Sequence, residues 1–236
     1  MIYSKFIRYG FFFLPPAETA LSTFGKRWLG WSIDEGRSVK FLENISENHE
    51  VCTSTARKYG FHGTLKPPFI LKNGYDPAHL HQAAAELVGT FPKFLLPQLE
   101  LAELDGFLAL RPVYASSELS RLAKTLVCEL DHFRAAADEK ELQRRRSVGL
   151  TPRQDALLMQ WGYPYVLQEF KFHLTLTSRL PCAEAETVRQ SLQFHLDKKL
   201  LAAQIIDTVG FVGEKCDGTF HLIERLSLLS PKVQLD

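Results

Sequence analysis

The chain has 236 residues, 45% of them hydrophobic, and its 28 basic and 27 acidic side chains leave a net charge of +1. That allows a sizeable core in one large domain or two small ones, and nothing in the balance calls for a nucleic-acid or membrane partner. The length argues against a disulfide-dense mini-fold, and no apolar run is long enough to span a bilayer.

Residues 6 to 14 read as a strand stopped by Pro15-Pro16, because proline removes the ladder donor. Lys5 and Arg8 precede a short apolar run, but two prolines follow at once, so a secretory leader is not expected. Ala17 to Leu29 reads as a helix ending near Gly30, and residues 31 to 58 as a long irregular connection. Phe61-His62-Gly63-Thr64-Leu65 alternates like a strand and ends at Pro67-Pro68. A helix is expected from about Pro77 to Phe91, then a strand at Leu99 to Glu103, an Asp105-Gly106 turn and a strand at Phe107 to Leu110.

Ser116 to Ala137 places its leucines on one helical face. Arg144-Arg145-Arg146 follows, then a short helix that Thr151 caps with Pro152 at its first position. Trp161 to Val166 is an aromatic loop leading into a second strand, Phe172-His173-Leu174-Thr175-Leu176. The connector should therefore bring Arg144, Arg145, Arg153, Tyr163 and Tyr165 near that strand. A helix from about Ala183 to Leu200, a strand at Ile205 to Val209, an Asp217-Gly218 turn and a strand at Phe220 to Ile223 complete the order. Residues after Ser230 should fray. Cys52, Cys128, Cys182 and Cys216 are scattered, which suits reduced thiols in a cytoplasm.

Two of these strands are nearly the same. Phe-His-Gly-Thr-Leu and Phe-His-Leu-Thr-Leu differ only at the middle residue. Side chains alternate between the faces of a strand, so His62, Thr64 and Lys66 should share one face, as should Lys171, His173, Thr175, Thr177 and Arg179. A lone histidine on a strand is more often structural than catalytic. Here the surroundings repeat as well: each motif is followed by a helix and an Asp-Gly hairpin, with 43 positions from His62 to Asp105 and 44 from His173 to Asp217. The chain reads as a strand–helix–hairpin unit present twice.

Paired His-x-Thr motifs in two similar halves resemble the 2H phosphoesterase superfamily of cyclic phosphodiesterases and RNA ligase-like enzymes. Arg8-Tyr9-Gly10, Tyr59-Gly60-Phe61-His62, Trp161 to Val166 and Phe172 to Thr177 resemble one bacterial branch of it, associated with phosphonate degradation. Phe133-Arg134-Ala135-Ala136 departs from that branch, where Pro is expected after Arg-Ala, and touches neither motif. The resemblance implies an α+β fold of two similar lobes, each an antiparallel sheet backed by helices, related by a pseudo-two-fold with both motifs lining a central cleft. The bounds expected are about 1–115 for the first lobe, 116–164 for a helical connector and 165–236 for the second lobe, in one compact bilobal domain.

The chemistry follows from the residue types. Histidine titrates nearest neutrality, at about 6.5, so two of them can divide proton removal from proton delivery. Each threonine hydroxyl can donate to a phosphate oxygen. His62, Thr64, His173 and Thr175 are the catalytic candidates, with a rate that rises and falls around neutrality. No zinc signature or Cys/His ligand spacing is present, so neither metal nor cofactor is expected. Lys66 is a candidate phosphate contact from its shared face, with a solvated lysine the equal alternative. Arg144 and Arg145 are raised as candidates by the branch, which has a pair of arginines there. Tyr9 is placed near the cleft by analogy, and Tyr163 could stack on a base or sugar. The other histidines have no partner pattern. The function expected is metal-independent hydrolysis of a small cyclic phosphate, a ribose or nucleotide derivative. The rival is a non-catalytic module that binds nucleotides or RNA ends. A long basic path rimmed by aromatics would favour RNA, and a closed small pocket a metabolite.

Overall fold

Three consecutive phenylalanines divide between two cores. They end the strand Arg8–Phe13 (β1), where successive side chains leave by opposite faces. Phe11 and Phe13 join one cluster of buried side chains, and Phe12 with Leu14 joins another. The computed structural model describes residues 5–229, so the expected fraying after Ser230 lies outside them.

Thr19 starts helix α1 (Ala20–Leu29) by accepting from the Ser22 N–H, and Gly30 ends it in the left-handed conformation. The stretch 31–58 is more ordered than expected. It holds a small hairpin, β2 (Trp31–Ser32) with β3 (Arg37–Ser38), and two short helices, α2 (His49–Cys52) and α3 (Ser54–Tyr59). Buried His49 ties this segment down by donating Nε2–H to the Trp28 carbonyl at 2.6 Å.

The first motif runs into β4 (Gly63–Phe69), followed by α4 (Pro77–Val88), β5 (Phe94–Leu96), β6 (Leu99–Leu104) and β7 (Phe107–Pro112). Asp105 and Gly106 have φ of +46° and +85°, the type I′ geometry expected of a two-residue hairpin loop. Helix α5 (Ser117–Glu129) stops short of residue 137. The Asp131 carboxylate there holds the Arg134 guanidinium at 2.8 and 2.9 Å, and the chain turns back to bond Ile70 and Lys72. Next come α6 (Glu139–Arg146) and α7 (Pro152–Trp161), the latter begun by the Thr151–Gln154 capping box.

The second motif strand, β8, is only Leu174–Thr175. The Leu108 carbonyl takes the N–H groups of both Leu176 and Thr177, and Trp28 takes the Leu176 carbonyl, so the regular ladder ends. Helix α8 (Cys182–His195) follows, then β9 (Gln204–Ile206), β10 (Thr208–Glu214) and β11 (Phe220–Ser227). The single strand expected at 205–209 is thus broken at Asp207. At the second Asp-Gly only Gly218 has positive φ. Asp217 instead accepts the N–H and hydroxyl of Thr219 and closes a longer loop than the type I′ turn expected.

Seven strands form one antiparallel sheet in the order β11-β10-β1-β4-β8-β7-β6. After each motif strand the elements run helix, short strand, hairpin, and the two short strands pair with each other about Leu95 and Ile205. The hairpins are exchanged: the one after the first motif pairs with β8, and the one after the second reaches β4 through β1. Helices α1, α4, α5 and α8 bury their apolar stripes against the face holding Phe11, Phe13, Leu65, Leu174 and Phe211. The opposite face carries a smaller cluster of Phe12, Leu14, Ile33, Val212 and Phe220 under the 31–38 hairpin. It is an α+β fold of antiparallel strands backed by helices.

Candidate active site

The two motif strands are neighbours at the junction of the sheet's two arms. Gly63 pairs with Leu174 in antiparallel register. Carried one residue each way, that register sets His62 opposite Thr175 and Thr64 opposite His173, where facing Cβ atoms lie about 4.5–5.5 Å apart. Phe61, Leu65, Phe172, Leu174 and Leu176 belong to the helix-side core. All four motif side chains therefore leave by the other face, in a rectangle with a histidine and a threonine at each end.

The one difference between the motifs has a steric cause. A Cβ on Gly63 would stand 2.3 Å from the Phe172 ring, so the glycine makes room for an aromatic that anchors the second motif on the core side. Gly60, which ends α3, has φ of +73°, a conformation glycine adopts without strain. It turns the chain so that its carbonyl lies 2.9 Å from Nδ1 of His62. Nδ1 of His173 lies 2.7 Å from the carbonyl of Lys171, again two residues back. A carbonyl only accepts, so each Nδ1 carries its proton, and the neutral ring keeps the lone pair on Nε2. Nε2 of His62 accepts from the Thr64 hydroxyl at 3.0 Å.

The surroundings of the two rings differ. His62 is 7% exposed and sits between Phe12 at 3.9 Å and Tyr59 at 5.8 Å, nearly parallel to both. Burial lowers its pKa to about 4, against a smaller upward pull from the Gly60 carbonyl, and the charge on His173 lowers it further. His173 is half-buried beside Phe107. Burial lowers its pKa too, while the Lys171 carbonyl and Asp105 act upward. The effect of His173 on His62 places the second imidazole within electrostatic reach of the first.

Other candidates lie elsewhere. Lys66 does not share the face of Thr64. The register between β1 and β4 slips by one residue, so that Phe11 faces Lys66 while Phe12 faces Thr64. Lys66 is consequently turned to the helix side and 2% exposed, with Nζ donating to the Val127 carbonyl at 2.9 Å and paired with the Asp131 carboxylate at 3.7 Å. Tyr9 is a core residue stacked on Phe211 at 5.7 Å. Thr177 is buried and accepts the Leu108 N–H. Arg144 and Arg145 lie beside Arg8 and Tyr59 rather than beside β8, in the lining of a cavity of about 510 Å³. Arg145 also lies 4.6 Å over the ring of Tyr163. His62 and His173 do not line that cavity; Tyr59 is the wall it shares with His62.

Arg8 and Tyr59 went unselected in the sequence. Arg8 alternates with Phe12 onto the His62 face, but a strand apolar on both sides gives no sign of which parity faces the site. Tyr59 precedes His62 by three residues, and only the turn at Gly60 brings its ring alongside. Among the described residues no group of three or more His, Cys, Asp or Glu could hold a metal ion, and no helix is long and apolar enough to cross a membrane.

This chain belongs to the family described as "Protein of unknown function (DUF1045)", whose pattern matches residues 64–221 and so both threonines and the second histidine. Two curated relatives are 34% identical to it, and both are named ribose 1,5-bisphosphate phosphokinase PhnN. One, from Janthinobacterium sp. (strain Marseille), aligns over 89% of this chain and 48% of its own length. The other, from Laribacter hongkongensis (strain HLHK9), aligns over 94% and 52%. The chain thus spans about half the length of these relatives. Among solved structures, Escherichia coli LigT in apo form is similar at 15% identity and a TM-score of 0.47, covering 96% of this chain and 99% of its own. A protein described only as a phosphoesterase is similar at 13% and 0.43, covering 95% and 99%. Scores this low leave the fold resting on the strand order itself.

Proposed function

We propose that the chain is a 2H-type phosphoesterase that hydrolyses a small cyclic phosphate without a metal ion. The observation that carries this reading is the shared hydrogen-bond geometry of His62 and His173, each held by Nδ1 to the carbonyl two residues back, with Nε2 available for proton transfer.

In this scheme His62, neutral through the physiological range, takes a proton from water as its oxygen attacks phosphorus. The phosphorus bond to the ring oxygen breaks, and protonated His173 gives that oxygen its proton, leaving a phosphomonoester and a free hydroxyl. The histidines then stand in exchanged protonation states and reset through solvent. Thr64 and Thr175 donate to the non-bridging oxygens, where charge develops in the transition state. Turning the Thr64 hydroxyl to phosphate also frees Nε2 of His62 for the water.

The compact cavity beside Tyr59 favours a metabolite over a length of RNA, because about 510 Å³ suits one small ligand. The relatives' printed name, a phosphokinase of ribose 1,5-bisphosphate, makes a ribose phosphate the first class to try. The resemblance to the phosphonate-associated branch suggests that pathway. The experiment is a screen of purified protein against ribose and nucleotide cyclic phosphates, with and without EDTA. Ring opening that survives the chelator is expected. Activity lost in EDTA and restored by a divalent ion would replace the acid–base pair with a metal mechanism.

A further inference from the structure

Four arginines line the cavity past Tyr59; Arg134 is held by Asp131, and the other three come from two distant parts of the chain. Arg8 comes from β1, and Arg144 and Arg145 come from α6. Two carboxylates serve all three. Glu214, 7% exposed, takes Nε and Nη2 of Arg8. Glu141 takes Nε and Nη2 of Arg144 at 2.7 and 2.8 Å, and Nε of Arg145 at 2.8 Å. The group keeps one positive charge in excess, and among the described residues no protein acceptor bonds Nη1 of any of the three. The carboxylates fix the guanidinium planes and leave donors over. That is how arginines present themselves to a planar or tetrahedral oxyanion.

Tyr59 links this group to the histidines. Its ring stacks beside His62, and it lies within electrostatic reach of Arg8, Arg144 and Tyr163. Gly10 lies between Arg8 and Phe12 on the same face of β1, and the Pro68 ring stands 3.3 Å from where its Cβ would be.

We infer that this cavity binds a second phosphoryl group of the substrate, so that the preferred compound is a cyclic phosphate carrying a phosphomonoester elsewhere on the same sugar. This rests on the phosphoesterase reading and adds a specificity-determining role for Arg8, Arg144 and Arg145, with Tyr59 as the wall between the reacting phosphate and the second one. The residues that recognise the second group come from β1 and α6, and those that react come from β4 and β8.

The test compares binding and turnover. Adenosine 3′-phosphate and adenosine 3′,5′-bisphosphate, which resemble ring-opened products, are titrated calorimetrically into the wild type and into Arg144→Gln. Turnover is measured on adenosine 2′,3′-cyclic phosphate with and without a 5′-phosphate. Arg144 is the residue to vary because its side chain is 63% exposed, whereas removing Arg8 would strand buried Glu214. Charge-assisted hydrogen bonds worth about 1.5–3 kcal/mol give a preference for the bisphosphate of roughly tenfold or more. Arg144→Gln should shrink that ratio of Kd values, and the ratio of kcat/KM values with it. A purely structural arginine would weaken both compounds equally and leave the ratios unchanged, and that result overturns the inference. So does a wild type that binds both compounds alike, or neither. Failure of both cyclic substrates to turn over would refute the hydrolytic reading, while the Kd ratio would still decide whether a second phosphoryl group is bound.

Discussion

The ring of Phe172 fills the space where a side chain on Gly63 would begin, 2.3 Å from the position of its Cβ. This contact couples the two motifs, because Gly63 lies between His62 and Thr64 and Phe172 precedes His173. Even one methyl group there must displace the ring or open the β4–β8 pair.

Gly63→Ala should therefore cost about 1–3 kcal/mol of stability through overpacking and lower activity beyond what stability explains. Phe172→Leu, which removes the obstructing ring, should restore part of both in the double variant. Urea unfolding and initial rates on the four proteins of the cycle check this. Additive effects would mean that the two residues do not press on one another.

Acid should unfold the protein in a window set by buried histidines. The pKa of His62 is lowered to about 4, and those of His49, His173 and His221 are also lowered, in each case chiefly by burial. Unfolded histidines titrate near 6.5. Between about pH 6.5 and 4 the unfolded chain thus binds more protons than the native one, and stability falls as pH falls. Glu141, held low by Arg144, loses its contribution only further down, below the usual carboxylate range. Urea midpoints should fall steadily as pH drops from 6.5 to 5. A midpoint unchanged at pH 5 would show that these rings are not held neutral.

Lys66→Met separates a buried structural cation from a substrate contact. With Nζ on the Val127 carbonyl, the substitution should shift stability by about 1–3 kcal/mol through the orphaned carbonyl and leave kcat/KM unchanged. A loss of about tenfold or more in kcat/KM, about 1.4 kcal/mol in the barrier, with stability intact, would return Lys66 to the site.

Alternation and turn chemistry made much of the fold legible. The Phe61-to-Leu65 and Phe172-to-Leu176 patterns name the buried face of each motif correctly, and Asp105-Gly106 names its turn. The exchange of hairpins between motifs was not legible, since a strand's own sequence does not choose its neighbour. Lys66 was misplaced because strict alternation takes no account of a register slip inside β4. Tyr9 was placed near the cleft by analogy alone, and Phe11-Phe12-Phe13, apolar on both sides, gave no sign that Arg8 has the parity facing His62. The shortness of β8 depends on Trp28 and Leu108, which are remote in sequence and compete for its last polar groups.

If His62 and His173 form the acid–base pair, the pH dependence of kcat/KM on one cyclic phosphate must carry a limb from each. A histidine pair without burial would give a maximum around neutrality. Burial moves both limbs of the bell below about 6.5, the lower of them toward the value of about 4 for His62. His62→Ala should lose roughly 10²- to 10⁴-fold in rate together with the acidic limb, and His173→Ala a similar factor together with the basic limb. Thr64→Val and Thr175→Val should lower the rate and keep both limbs, because no titrating group is removed. A histidine variant with wild-type rate and an intact two-limbed profile would contradict the account and leave a binding module in its place.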